Sequence, residues 1–261
     1  AMKFIRSLVL GAAALAAVTG AVAQNALDDV MKSRQIRIAV PTDFPPYGFV
    51  GTDLQPQGLD VDMARHIAAK LGVKIELVPV TSANRIPYLQ TRKADLVIST
   101  LGKNPEREKV IDFTSAYSPF FQAVFGPKSL PIKGVADLAG KSISVTRGAI
   151  EDMELTKIAP AGTDIKRFED NNATVSAFVS GQVQLIATGA SVAGNMISKN
   201  PQLGAEYKFV LKDSPNFIGV AKGEDKLRAK VNEIIAQAKA DGELDKLANK
   251  WLGRPAGDLP Q

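Results

Sequence analysis

Leu59-Asp60-Val61-Asp62-Met63-Ala64-Arg65-His66-Ile67-Ala68-Ala69-Lys70-Leu71-Gly72 is the stretch on which the fold class turns. Leu59, Met63, Ile67 and Leu71 recur every four residues, so they stack on one face of a helix, and Gly72 is the residue type that ends one. On either side lie short β-branched runs, 36–40 and 73–78, with the continuous apolar character of buried strands. The same alternation extends along the chain. Residues 96–100, 142–146, 185–188 and 217–221 read as further strands, and Leu227, Val231, Ile234, Ile235 and Ala238 line one face of a later helix. Strands alternating with helices predict an α/β protein.

Composition narrows the chemistry. The 261 residues are 45% hydrophobic and include no cysteine, so thiolate metal sites, thiol nucleophiles and disulfide scaffolds are excluded. Only carboxylates and the single His66 remain as metal ligands, and neither a metal nor a cofactor is expected. Lys3 and Arg6, the uncharged run 8–18 and Ala21-Val22-Ala23 read as an export signal over 1–23. The run is shorter than the roughly 20 residues a membrane span needs. Losing Lys3 and Arg6 lowers the net charge from +5 to +3. No basic cluster marks a nucleic-acid surface. The expectation is a periplasmic monomer.

Breakers locate the domain organisation. Pro119, Gly126, Pro127 and Pro131 surround an apolar run over 120–125, and Asp213-Ser214-Pro215 precedes another. Reading 115–133 and 212–219 as two crossings gives a discontinuous first lobe, 24–119 with 219–261, and a second lobe over 120–218. A cleft between the lobes is then the expected ligand site.

Gly58-Leu59-Asp60-Val61-Asp62-Met63, followed by Ile67-Ala68 and Leu71, resembles the signature of the bacterial periplasmic amino-acid-binding proteins of ABC importers, solute-binding protein family 3. Further family-like stretches are Thr42 to Tyr47, Asp95 to Ser99, Pro105-Glu106-Arg107, Asp112-Phe113-Thr114, Leu138-Ala139-Gly140-Lys141 and Lys250-Trp251-Leu252-Gly253. The resemblance implies a two-lobed periplasmic-binding-protein fold of type II with two hinge crossings. It also implies a small carboxylate-bearing ligand, a membrane permease as partner and no catalysis. Thr81-Ser82-Ala83-Asn84-Arg85-Ile86-Pro87 looks most like the polar and acidic amino-acid branch.

The resemblance also implies a ligand set. Arg107 is the expected carboxylate clamp, with Ser99, Thr100 and Gly102 beside it, because a guanidinium supplies two parallel charge-assisted hydrogen bonds. Ser82 stands where cationic-amino-acid binders place an aromatic platform, and Ser82 with Arg85 fits a polar or anionic side chain. Arg85 is alternatively a partner of its own helix. From the second lobe, Ala149 and Ile150 supply a turn, and Arg147 is either a second cation or solvated. Gly189 occupies the position of the family's acid for the α-amino group. Either Asp43 then provides the counter-charge or the ligand has no α-amino group. Phe44 is expected as a cleft wall. A dehydratase-like enzyme is the alternative function, with Asp43, Glu151 or Asp152 as its acid. His66 reads as a solvated neighbour of Asp62, and Asp60 and Asp62 fall on different helix faces.

Overall fold

The structure is a computed structural model that describes residues 25–261; the expected export signal over 1–23 lies outside them. In chain order, α1 (Ala26–Ser33) leads into β1 (Gln35–Val40), and β2 (Asp43–Phe44), β3 (Gly48–Val50) and β4 (Pro56–Gln57) form a small sheet. Then follow α2 (Leu59–Leu71), β5 (Lys74–Pro79), α3 (Arg85–Gln90), β6 (Leu96–Leu101), the single-turn α4 (Pro105–Glu108) and β7 (Ile111–Ser118). The middle of the chain supplies β8 (Phe121–Pro127), β9 (Ser142–Thr146), α5 (Ile150–Ile158), β10 (Asp164–Phe168), α6 (Asn171–Val179), β11 (Leu185–Gly189), α7 (Ala190–Lys199) and β12 (Ala205–Asp213). It closes with β13 (Asn216–Ala221), α8 (Asp225–Ala240) and α9 (Glu243–Leu252).

These strands build two five-stranded sheets, β5-β1-β6-β13-β7 and β10-β9-β11-β8-β12. Each has a parallel part, β5-β1-β6 and β10-β9-β11, and an antiparallel edge. Helix α2 lays Leu59, Met63 and Ile67 into the first lobe's core with Ile36, Ile38 and Ile98. Burying each such side chain contributes about 1.5–3 kcal/mol. The second sheet has apolar residues on both faces, with Leu138, Ile143 and Leu155 in one cluster and Phe178, Ile186 and Met196 in another. The fold is therefore a two-lobed α/β architecture, as the alternating pattern implied.

Gly58 makes the start of α2 possible. Its φ of 130° is closed to ordinary side chains, and a Cβ there would overlap the Tyr47 carbonyl.

The chain passes between the sheets at Pro119-Phe120 and again at Ser214-Pro215. Ser214 N–H donates to the Phe120 carbonyl at 3.1 Å, and Asn216 Nδ2 donates to Ser118 Oγ at 2.9 Å, so the two passages are stitched together. Strand β8 lies inside the span the sequence reading left without an element. Strand β13 begins at Asn216, so Asn216 and Phe217, placed by the sequence in the second lobe, pair with β7 and β6 of the first. No helix among the described residues is long and apolar enough to cross a membrane.

Asp60 and Asp62 do fall on different faces of α2. Asp60 is buried, whereas Asp62 accepts from Lys250 Nζ and Trp251 Nε1 of α9, both at 2.8 Å. His66 corrects the sequence reading. Its Nε2 is buried with no hydrogen-bond partner among the described residues, and Asp62 is engaged by α9 instead.

Candidate functional site

The loop after β6 is pinned by a buried carboxylate. Asp60 Oδ2 accepts from Thr100 N–H at 2.9 Å, and Oδ1 accepts from the Tyr117 hydroxyl at 2.6 Å. Burial pushes the Asp60 carboxyl up to about 8, opposed by those two donors and by Arg85. Thr100 has φ 44°, a conformation unfavourable for a β-branched residue, and the Asp60 bond holds it there.

Two arginines converge on that loop. Asn104 caps α4 by accepting from Arg107 N–H at 2.8 Å, which sets the Arg107 side chain against the loop. Arg107 Nη1 donates to the Gly102 carbonyl at 2.7 Å and Nη2 to the Gly148 carbonyl at 2.8 Å. Arg85 Nη1 donates to Ser99 O at 2.8 Å and to Thr100 O at 3.2 Å; Nη2 reaches the same Gly148 carbonyl at 3.3 Å. One carbonyl of the second lobe therefore receives both guanidinium groups of the first. Burial lowers the pKa of both. Their mutual repulsion lowers Arg107 further, while Glu151 and Asp60 favour the charged form of Arg85.

A cavity of about 20 Å³ lies between the lobes, room for about one water. Six expected residues line it: Phe44, Ser82, Arg85, Thr100, Ala149 and Ile150. Gln122, Thr146, Glu151, Asn171 and Thr188 also line it, and the sequence reading gave none of them a binding role. Thr146 Oγ1 lies 2.7 Å from Asn171 Oδ1 and from Thr174 Oγ1. Glu151, in the first turn of α5, is buried and its carboxyl is pushed up to about 7, with Arg85 and Arg107 pulling it back. Glu151 was legible only as a possible enzymatic acid. Gln122 was hidden in a stretch read as a linker.

The remaining expected residues lie off this wall. Arg107 and Ser99 are buried in the carbonyl network behind it, and Gly102 faces Ile150 and Ser214 across the lobes. Arg147 is half exposed and paired with Glu169 at 2.7 Å, so it supplies no second cation to the cavity. Asp43 accepts from Asn172 N–H at 3.0 Å and from Asn171 Nδ2 at 3.2 Å, bridging the lobes at the start of α6 rather than facing the cavity. Gly189 is covered by Phe120, whose ring a Cβ at position 189 would overlap. That ring joins Phe44 and Tyr47, with centroids 6.3 and 5.1 Å away, in an aromatic wall.

Two α/β lobes joined by two strand crossings, with arginines and a buried acid at their interface, define a two-lobed solute-binding protein. Residues 36–254 match the bacterial extracellular solute-binding proteins, family 3, and the chain belongs to that family. It is 27% identical over 234 residues to the ABC transporter glutamine-binding protein GlnH of Bacillus subtilis (strain 168), covering 88% of this chain and 85% of that one. Among solved structures it is similar to an ancestral arginine-binding protein bound to arginine, with 34% identity, a TM-score of 0.80, and coverage of 84% and 98%. It is also similar to the ancestral amino acid-binding protein AncCDT-1, a precursor of cyclohexadienyl dehydratase, with 33% identity, a TM-score of 0.79, and coverage of 86% and 98%. The relatives are amino-acid-binding proteins of ABC importers, so the chain is a solute-binding protein.

Proposed function

We propose that the protein captures a polar or acidic amino acid in the periplasm, closes on it, and presents it to an ABC-importer permease without catalysing a reaction. The observation that carries this reading is the sharing of the Gly148 carbonyl by Arg85 and Arg107. A neutral carbonyl is a weak partner for two buried cations, and a ligand carboxylate in its place makes stronger, charge-assisted bonds. A cavity of about 20 Å³ holds no amino acid, so binding requires the lobes to part about their two crossings.

Glu151 favours a ligand that keeps its α-amino group. It is a buried acid on the cavity wall, and a desolvated ammonium needs such a counter-charge. An organic acid without the amino group is the second reading, favoured by the Phe120 ring over Gly189. Cationic amino acids fit worst, because Ser82 offers no aromatic platform and Arg85 already places a cation on the wall. One ancestral relative has been solved with arginine and with glutamine, so likeness alone does not select the ligand.

A thermal-shift screen of amino acids and organic acids, followed by calorimetry, tests the reading. A saturating ligand at 100 times its dissociation constant adds about 2.7 kcal/mol of apparent stability. Comparing glutamate with 2-oxoglutarate, and aspartate with succinate, separates the two ligand classes. Tight arginine or lysine binding overturns the charge argument. Turnover of prephenate or arogenate that is lost in Glu151→Gln replaces transport by the dehydratase reading.

A further inference from the structure

Gln122 is the second residue of β8, and its side chain is 1% exposed. Among the described residues its Oε1 is a buried side-chain oxygen with no hydrogen-bond donor. The other two such atoms, on His66 and Asn216, belong to residues that do not line the interlobe cavity, whereas Gln122 does. Directly opposite on β11 stands Gly189, which has no side chain, and the Phe120 ring covers it. Gln122 and the neighbouring Thr188 of β11 are therefore the polar side chains on that part of the wall, and of the two only Gln122 carries a buried orphaned acceptor. Neighbouring polar side chains are already engaged: Arg85 by carbonyls, and Thr146 and Asn171 by each other.

A buried acceptor without a donor disfavours the closed molecule until something supplies a proton to it. We infer that Gln122 reads the ligand's nitrogen, its Oε1 accepting a hydrogen bond from the ligand's ammonium. This rests on the amino-acid reading above and names the residue that makes the amino group matter. An ammonium carries three donors, and Glu151 on the same wall offers a charged acceptor for another.

The test uses the apolar near-isostere Gln122→Met and the acceptor-retaining Gln122→Glu. L-glutamate, L-glutamine and 2-oxoglutarate are the probes, read by calorimetry, and unliganded melting is measured alongside. Removing an orphaned oxygen without changing volume leaves the melting temperature of unliganded Gln122→Met at or above wild type. Its affinity for whichever amino acid the wild type binds falls about 10- to 100-fold, as loss of a hydrogen bond to a charged group predicts. Affinity for 2-oxoglutarate changes less. Gln122→Glu keeps the amino-acid binding, and a loss there as large as in Gln122→Met overturns the inference, because an acceptor remains. Amino-acid binding by Gln122→Met within threefold of wild type also overturns it and leaves the transport reading standing. If the wild type binds no member of a wider amino-acid panel, both fail together.

Discussion

Arg107 joins two carbonyls 46 residues apart in sequence, Gly102 and Gly148, and so belongs to loop and interface at once. Arg107→Ala leaves both acceptors short of a donor and removes one of the two cations proposed to meet the ligand. Affinity for the amino acid should fall by about 2–5 kcal/mol in calorimetry while circular dichroism stays native. Arg107→Lys should also bind poorly, since a point charge cannot span two acceptors. Binding within a few-fold of wild type in a folded Arg107→Ala removes the residue from the ligand's charge balance.

The buried acids set a pH dependence. Burial pushes Asp60 up to about 8 and Glu151 up to about 7, from ordinary values of 3.8 and 4.5. Each holds its proton more tightly in the folded state, so their stability contribution is complete below those ordinary values and is lost as pH rises through 7 and 8. The unliganded protein should melt higher near pH 5 than near pH 8, by calorimetry or dichroism. Asp60→Asn, which can still accept from Thr100 N–H, should reduce that slope over the whole range up to about pH 8, and Glu151→Gln only the part below about pH 7. A slope unchanged in both variants assigns it to other groups.

At the scale of elements, β11 and the first crossing are coupled through Gly189 and Phe120. Gly189→Ala drives a methyl into the ring and should cost about 1–3 kcal/mol, the usual range for overpacking. Adding Phe120→Ala should recover part of that loss, and the double-mutant cycle in urea measures the coupling. Strict additivity separates the two positions energetically. The element scale also shows what was legible. Six strands and two helices were read from apolar runs and four-residue spacing, because most are buried on one or both faces and the edge strand β5 still turns Ile75, Leu77 and Val78 against the core. Strands β10 and β12 escaped because they are half-exposed sheet edges carrying Lys166, Arg167, Lys208 and Lys212. Strand β8 escaped because prolines at both ends made it resemble a linker.

For the whole molecule, the described residues hold closure by interlobe hydrogen bonds and by the Lys157–Glu106 ion pair at 3.2 Å. Asp43 to the start of α6 and the arginines to Gly148 are hydrogen bonds across the lobes. Asp43→Ala removes the first set and takes one partner from Asn171 of the cavity wall, which keeps its contact with Thr146. Small-angle scattering of the unliganded variant should show a larger radius of gyration than wild type. Saturation with ligand should restore the compact value, because ligand binds the closed state more tightly. Identical scattering from the two unliganded proteins means that the Asp43 contact does not govern closure.

The sequence by itself determined the alternation of strands and helices, the α2 core face and the family motif at Gly58 to Met63. These depend on periodicity and on contiguous residues, which a linear reading registers. Only the tertiary structure decided which polar groups face the cavity: Arg85, Glu151 and Gln122 are on its wall, while Arg147 pairs with Glu169 and Asp43 spans the lobes. It also decided that Phe120 covers Gly189. Such choices depend on partners up to 129 residues away, brought together by two strand crossings. Whether a polar side chain is solvated, paired or orphaned is fixed by what packs against it, and no local pattern encodes that.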